Sequence, residues 1–127
     1  MIKKIILGVS FFNVVLLQAD SYITDSKQSL LWLDNKNVLE HKKSWSDAQD
    51  YCKNLKVNNL KGWRLPSTDE LNYAIKNMKF KHNSTDGFWT NSRYTYLPFD
   101  PWKVQDNSKN DLCCSESKVL TRCVKDK

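Results

Sequence analysis

The sequence predicts an α+β domain in which two helices pack on a mostly antiparallel sheet. Two observations lead there. Two stretches opened by serines carry apolar residues at helical spacing, and short β-prone runs stand before, between and after them. The order is strand, helix, strand, helix, then strands and loops.

Ahead of that domain, Lys3 and Lys4 precede an apolar run from Ile5 to Leu17, broken by Gly8, Ser10 and Asn13. Gln18-Ala19 then sets a small residue before the polar Asp20. This is the layout of a secretory signal peptide over residues 1–19, and the run is short for a membrane span. An uncleaved N-terminal anchor is the alternative. No cysteine follows the run to carry a lipoprotein anchor. Residues 20–127 then suit one domain and leave no room for two.

Tyr22-Ile23-Thr24 and Leu30-Leu31-Trp32-Leu33 read as two strands or a hairpin, followed by turn chemistry at Asp34-Asn35-Lys36-Asn37. Ser44 and Asp47 fit a capping box, after which Trp45, Ala48, Cys52 and Leu55 fall near one helical face. Cys52 therefore points inward, which suits a structural bridge better than a reactive thiol. Asn58-Asn59 and Gly62 end that segment. Trp63-Arg64-Leu65 is a short extended piece, because Pro66 disfavours helix at the residue before it. Ser67 and Glu70 make a second capping box, with Leu71, Ala74 or Ile75, and Met78 on the apolar face of a helix running to about Lys79. His82 to Gly87 is a polar loop and Phe88-Trp89-Thr90 a buried strand entry. Pro98 and Pro101 exclude a regular central strand across Tyr94 to Trp102. Trp102-Lys103-Val104 reads as a strand, Asp106 to Asp111 as a polar loop, and Val119 to Val124 as the final strand.

Loss of Lys3 and Lys4 on export lowers the formal charge from +6 to +4. Lysine is the dominant cation, interleaved with Asp, Asn and Ser, which marks a solvated surface rather than a nucleic-acid stripe. No later segment is apolar and long enough to span a membrane. The four cysteines, Cys52, Cys113, Cys114 and Cys123, read as disulfides of an exported domain, with three pairings open. Zinc is the rival reading, but there is no C-x-x-C pair, and His41 and His82 stand far from the cysteines in sequence. The adjacent Cys113 and Cys114 can close a vicinal ring, bridge to another chain or stay reduced.

Taken together, several landmarks resemble the Lcl C-terminal domain family. They are Thr24-Asp25-Ser26-Lys27, Leu31-Trp32, Trp45, Ala48, Tyr51-Cys52, Leu55, Trp63-Arg64-Leu65-Pro66-Ser67, Glu70-Leu71, Phe88-Trp89-Thr90, Trp102, Val104 and Arg122-Cys123-Val124. That family was long catalogued as a bacterial domain of unknown function, found on exported and surface proteins that include collagen-like adhesins. The resemblance runs from about residue 22 to the C terminus. The family's arrangement is similar to C-type lectin-like domains, in which a helix-borne cysteine bridges to the final strand. Carried over, this implies a Cys52–Cys123 bond, which by the chain-entropy account stabilises by about 4 kcal/mol. With that pair taken, a vicinal Cys113–Cys114 bond is favoured. The calcium-lectin motifs of the Glu-Pro-Asn, Gln-Pro-Asp and Trp-Asn-Asp types are missing, so calcium-dependent sugar binding by the usual lectin route is not expected.

Trp45, Trp63, Trp89 and Trp102 could stack on sugars, but their apolar neighbours at helix or strand spacing favour the core. Arg64 could contact an anion; an ion pair with Asp69 or Glu70 is favoured. Tyr94, Tyr96, Phe99 and Asp100 form the candidate ligand or partner surface, where lectin-like domains carry their variable binding loop. Tyrosine joins apolar area to a hydroxyl, which suits recognition, although a loop that covers the sheet with its own aromatics fits equally. Asp106, Asn107, Asn110 and Asp111 could ligate calcium, yet the spacing fits no EF-hand and a solvated turn is favoured. His41 and His82 have no spaced nucleophile partner, and neither a phosphate-cradling glycine loop nor a histidine–glutamate metal motif is present. No catalytic residue and no cofactor are expected. The sequence therefore points to a noncatalytic binding module in the periplasm or outside a bacterial cell, recognising a glycan, with anionic polysaccharide first, or a surface partner. The alternative is a protein–protein or oligomerisation domain with the aromatic loop as its interface. A redox or hydrolytic enzyme built on Cys113 or Cys114 is a weaker third reading.

Overall fold

A computed structural model describes residues 21–93, 101–104, 110–112 and 117–127. The signal-peptide reading of residues 1–19 lies outside the described residues. β1 (Tyr22–Asp25) and β2 (Leu30–Leu33) form an antiparallel hairpin. Its turn is set locally: Asp25 Oδ1 accepts from the Gln28 N–H at 3.1 Å, and Ser29 takes a left-handed φ of 56°.

The chain after β2 makes the expected turn at Asn35 and Lys36 and then goes beyond it. It forms a single helical turn, α1 (Asn37–Glu40), so three helices rather than two stand among the described residues. The reason is one local side-chain-to-backbone bond and one buried anchor. Asn35 Oδ1 accepts from the Asn37 N–H at 3.0 Å, and Val38 is buried beneath the turn.

α2 (Trp45–Asn54) starts where Ser44 Oγ accepts from the Asp47 N–H at 3.2 Å, and it buries Trp45, Ala48 and Cys52. Two left-handed asparagines, Asn58 and Asn59, then reverse the chain into β3 (Trp63–Arg64). α3 (Thr68–Asn77) carries a complete capping box. Ser67 Oγ accepts from the Glu70 N–H at 3.1 Å, and Glu70 Oε1 accepts from the Ser67 N–H at 2.8 Å. It ends two residues before Lys79, because Met78 is already extended and Asn77 Nδ2 donates back to the Tyr73 carbonyl at 2.8 Å.

β4 (Phe88–Arg93), β5 (Pro101–Val104) and β6 (Asn110–Leu112) make a separate antiparallel sheet in that order. Asn110 and Asp111 thus belong to a strand rather than to the polar loop. The final strand β7 (Val124–Asp126) starts later than the Val119 to Val124 run predicts. Val119 bridges to Lys43 and Leu120 to Phe88, after which the chain crosses to the first sheet. Residues 119–123 are all buried, so their apolar pattern reads as a strand, but they pass between sheets and join no ladder. β7 inserts between β2 and β3, giving the antiparallel order β1-β2-β7-β3, so the last strand shares a sheet with the N-terminal hairpin and pairs with its second strand.

The core lies between the sheets and the helices. Cys52 on α2 is bonded to Cys123, just before β7, with Cα atoms 5.5 Å apart. Trp32, Trp45, Trp63 and Trp89 are all buried, and the side chain of Trp102 lies outside the described residues. Three of the indole N–H groups find backbone carbonyls: Trp45 reaches Thr90 at 2.7 Å, Trp63 reaches Leu60 at 3.0 Å, and Trp89 reaches Lys43 at 2.7 Å.

Candidate functional site

Arg64 is the residue around which the exposed side of β3 is organised. Its Nη1 and Nη2 each donate to a carboxylate oxygen of Glu70 at 2.9 Å. Nη2 also reaches Asp126 Oδ1 at 3.0 Å, Nε reaches Asp126 Oδ2 at 3.2 Å, and Nη1 reaches the Leu65 carbonyl at 3.2 Å. A guanidinium has five N–H donors, and all five are used. The ion-pair reading of Arg64 therefore holds, with Glu70 of the two expected partners and with Asp126 in addition. The hydrogen bonds to Glu70 and Asp126 raise the Arg64 pKa, and those same bonds hold both carboxyls below their ordinary values.

Beside this network a groove of about 290 Å³ opens between α2 and the strands β3 and β4. Gln49, Lys53, Trp63, Arg64, Leu65 and Asn91 line it. Gln49 and Lys53 stand one helical turn apart, on the flank of α2 next to its buried stripe. Trp63 and Leu65, two apart in an extended segment, supply a buried apolar floor. Asn91 enters from β4. Its N–H donates to the Pro66 carbonyl at 2.8 Å and its Nδ2 to the Leu65 carbonyl at 3.3 Å, so the amide is oriented with Oδ1 left to accept. Gln49, Lys53 and Asn91 are exposed, and the side chains of Gln49 and Lys53 have no hydrogen-bond or ion-pair partner among the described residues.

Chemically, the groove offers one ammonium and two primary amides above an apolar floor. Such a set can donate to and accept from hydroxyls and can pair with one carboxylate. Its lining, among the described residues, includes no carboxylate, histidine or cysteine.

A second polar cluster is buried and structural. Arg122 donates to the Leu33 carbonyl at 2.7 Å and meets Asp34 at 3.3 Å, while Asp34 accepts from the backbone N–H groups of Lys81 and His82. The cluster joins the end of β2, the loop after α3 and the segment before β7.

The sequence-predicted ligand residues Tyr94, Tyr96, Phe99 and Asp100 lie outside the described residues, as do Cys113 and Cys114. Among the described residues, no group of three or more His, Cys, Asp or Glu side chains is placed to hold a metal ion, and no helix is long and apolar enough to cross a membrane. The sequence reading missed Gln49, Lys53 and Asn91. The spacing of Gln49 and Lys53 on one flank of α2 was available as a signal, whereas Asn91 meets them only through the fold.

Comparison with known families finds that the model for the Lcl C-terminal domain matches residues 21–125. No curated protein matches the chain.

Proposed function

The chain belongs to the Lcl C-terminal domain family, and on that premise we propose that it is an exported, noncatalytic binding module. It recognises a glycan, with anionic polysaccharide first, or a cell-surface partner. The observation that carries this reading is the groove. Gln49, Lys53 and Asn91 stand exposed over an apolar floor, the mixture of hydroxyl-matching polar groups and apolar surface that small polar ligands require. The +4 charge left after loss of Lys3 and Lys4 favours an anionic polymer.

Export finds support in the Cys52–Cys123 bond, because disulfides persist in oxidising compartments. Residues 1–19 are then the signal peptide and residues 20–127 the working domain. A C-type lectin-like arrangement belongs to the same proposal. The bond from a helix to the residue before the last strand supports it, as does the pairing of that strand with β2 of the N-terminal hairpin.

The test is a glycan array on the mature protein with its disulfides intact, including sulfated and carboxylated polysaccharides at two salt concentrations. Hits that weaken as salt rises are expected, because screening shortens the reach of surface charge to about 8–10 Å at physiological salt. Hits indifferent to salt would remove the electrostatic part of the reading. A blank array from a folded sample would overturn the glycan reading in favour of a protein partner, and concentration-dependent self-association would then identify an oligomerisation domain.

A further inference from the structure

We propose that the groove between α2 and the β3–β4 strands is a subsite for a single carboxylated sugar unit, a uronic acid or a similar acidic monosaccharide. Lys53 takes the carboxylate, and Gln49 and Asn91 take neighbouring hydroxyls. This rests on the glycan reading of the groove and narrows it to one chemical class and three residues.

The argument starts from the cations. Arg64 and Lys53 both line the groove, but all five Arg64 donors are already spent on Glu70, Asp126 and the Leu65 carbonyl. An entering anion would find no free N–H there. Lys53 has no ion-pair partner among the described residues, so it is the cation left to a ligand. One available positive charge suits one carboxylate. A densely sulfated segment, with several charges per disaccharide, needs several cations in a row.

The amides supply the sugar-like part of the match. A primary amide carries both donors and an acceptor in one plane, which suits adjacent hydroxyls on a ring. Asn91 is already oriented by its donation to the Leu65 carbonyl, so its Oδ1 accepts without a further ordering cost. Gln49 and Lys53 at i, i+4 place their Cβ atoms about 5–6 Å apart, so both side chains reach over the same stretch of the groove.

Size points the same way. At about 290 Å³ the groove stands at the lower end of small-molecule sites, which run from about 300 to 1,000 Å³. That is room for one pyranose ring within the groove. Trp63 and Leu65 are each 2% exposed, so the floor gives little stacking area. Recognition then rests on hydrogen bonds and one ion pair.

The experiment is an NMR titration of the isotopically labelled mature protein with glucuronate, with glucose as the neutral counterpart and a sulfated oligosaccharide as the polyanion. It is run on wild type, K53Q, Q49A and, as a distant lysine control, K76Q. Glucuronate is expected to shift the backbone signals of Gln49, Lys53 and Asn91, and glucose to bind at least tenfold more weakly. K53Q should lose at least tenfold in glucuronate affinity, Q49A severalfold, and K76Q nothing. Lys53 and Gln49 are exposed, so neither substitution should disturb folding. Glucuronate bound equally by wild type and K53Q, or shifts confined to another surface, would overturn the subsite while leaving a glycan binder. Binding of glucose as tight as glucuronate would overturn the carboxylate assignment. Failure of all three carbohydrates to bind a folded sample would overturn the subsite and, with a blank array, the glycan reading as well.

Discussion

The guanidinium of Arg122 meets the carboxylate of Asp34 at 3.3 Å, with 1% of either side chain exposed. Arg122 also lies over the ring of Phe80, 3.9 Å from its centroid, and 5.0 Å from that of Phe88, and it donates to the His82 carbonyl. Burial lowers its pKa to about 10, which leaves it charged at neutral pH. An ion pair of this kind costs desolvation on both sides, and its geometry has to offset that cost. Its role here is to hold the loop at Lys81 and His82 against the end of β2.

Breaking that pair from one side strands the other charge. Asp34→Leu or Arg122→Met alone is therefore expected to cost about 3–5 kcal/mol. The combined Asp34→Leu, Arg122→Met protein should lose clearly less than the sum of the two. Urea denaturation of the three variants measures this. Additive losses would show that the two residues contribute independently and that the pairing carries no coupling.

The Cys52–Cys123 bond joins residues 71 apart, and both sulfurs are fully buried. Replacing both cysteines by alanine should cost about 2–5 kcal/mol. Either single alanine should cost nearly as much, because it loses the same crosslink while removing one buried sulfur instead of two. Thermal unfolding of oxidised protein with and without a reductant gives the same comparison. An unchanged Tm after verified reduction of this bond would contradict it.

The Arg64 network predicts a particular acid response. Glu70 and Asp126 both have depressed pKa values in the folded protein, chiefly through hydrogen bonds from Arg64. Groups shifted in that direction add stability above their unfolded values, about 4, and lose it as pH falls through the folded ones. Glu70, 23% exposed, should account for more of the loss than Asp126, which is 72% exposed and screened by solvent. The urea midpoint should therefore drop from about pH 4 downward, and Glu70→Gln should flatten that drop more than Asp126→Asn. Equal slopes in wild type and the Glu70 variant would remove the assignment.

These features differ in how far the sequence disclosed them, and the difference follows the range of the interaction. The Ser67–Glu70 box, the extended backbone that Pro66 imposes on the residue before it and the period of Trp45, Ala48 and Cys52 are decided within a few residues, and each was legible. Glu70 as a partner of Arg64 lies six residues away and was legible too; Asp126 lies 62 away and was not. Asp34 read as part of a turn and Arg122 as part of the final strand, and nothing within either neighbourhood signals a partner 88 residues off. The same holds for the groove: α2 alone places Gln49 beside Lys53, but Asn91 reaches them because Leu65 and Pro66 dock against β4. Residues 119–123 misled for a related reason. Their burial comes from a crossing between two sheets, and local patterning cannot distinguish that from a ladder.

The two serine caps allow a comparison in which each helix serves as the other's control. At α3 both halves of the box are made, Ser67 Oγ accepting from the Glu70 N–H and the Glu70 carboxylate accepting from the Ser67 N–H. At α2 Ser44 accepts from the Asp47 N–H, and the aspartate is one methylene shorter than the glutamate that would return the bond. Glu70 is also engaged by Arg64, so loss of Ser67 loosens a carboxylate that the ion-pair network depends on. Ser67→Ala is expected to cost about 1–2 kcal/mol and Ser44→Ala about 0.5–1 kcal/mol. In Glu70→Gln protein the Ser67→Ala cost should shrink toward that of Ser44→Ala, because the amide returns a weaker bond and no longer anchors Arg64 by charge. Chemical denaturation of the single and double variants decides it. A Ser67→Ala cost that is the same in wild-type and Glu70→Gln protein would mean that the cap and the Arg64 network act separately.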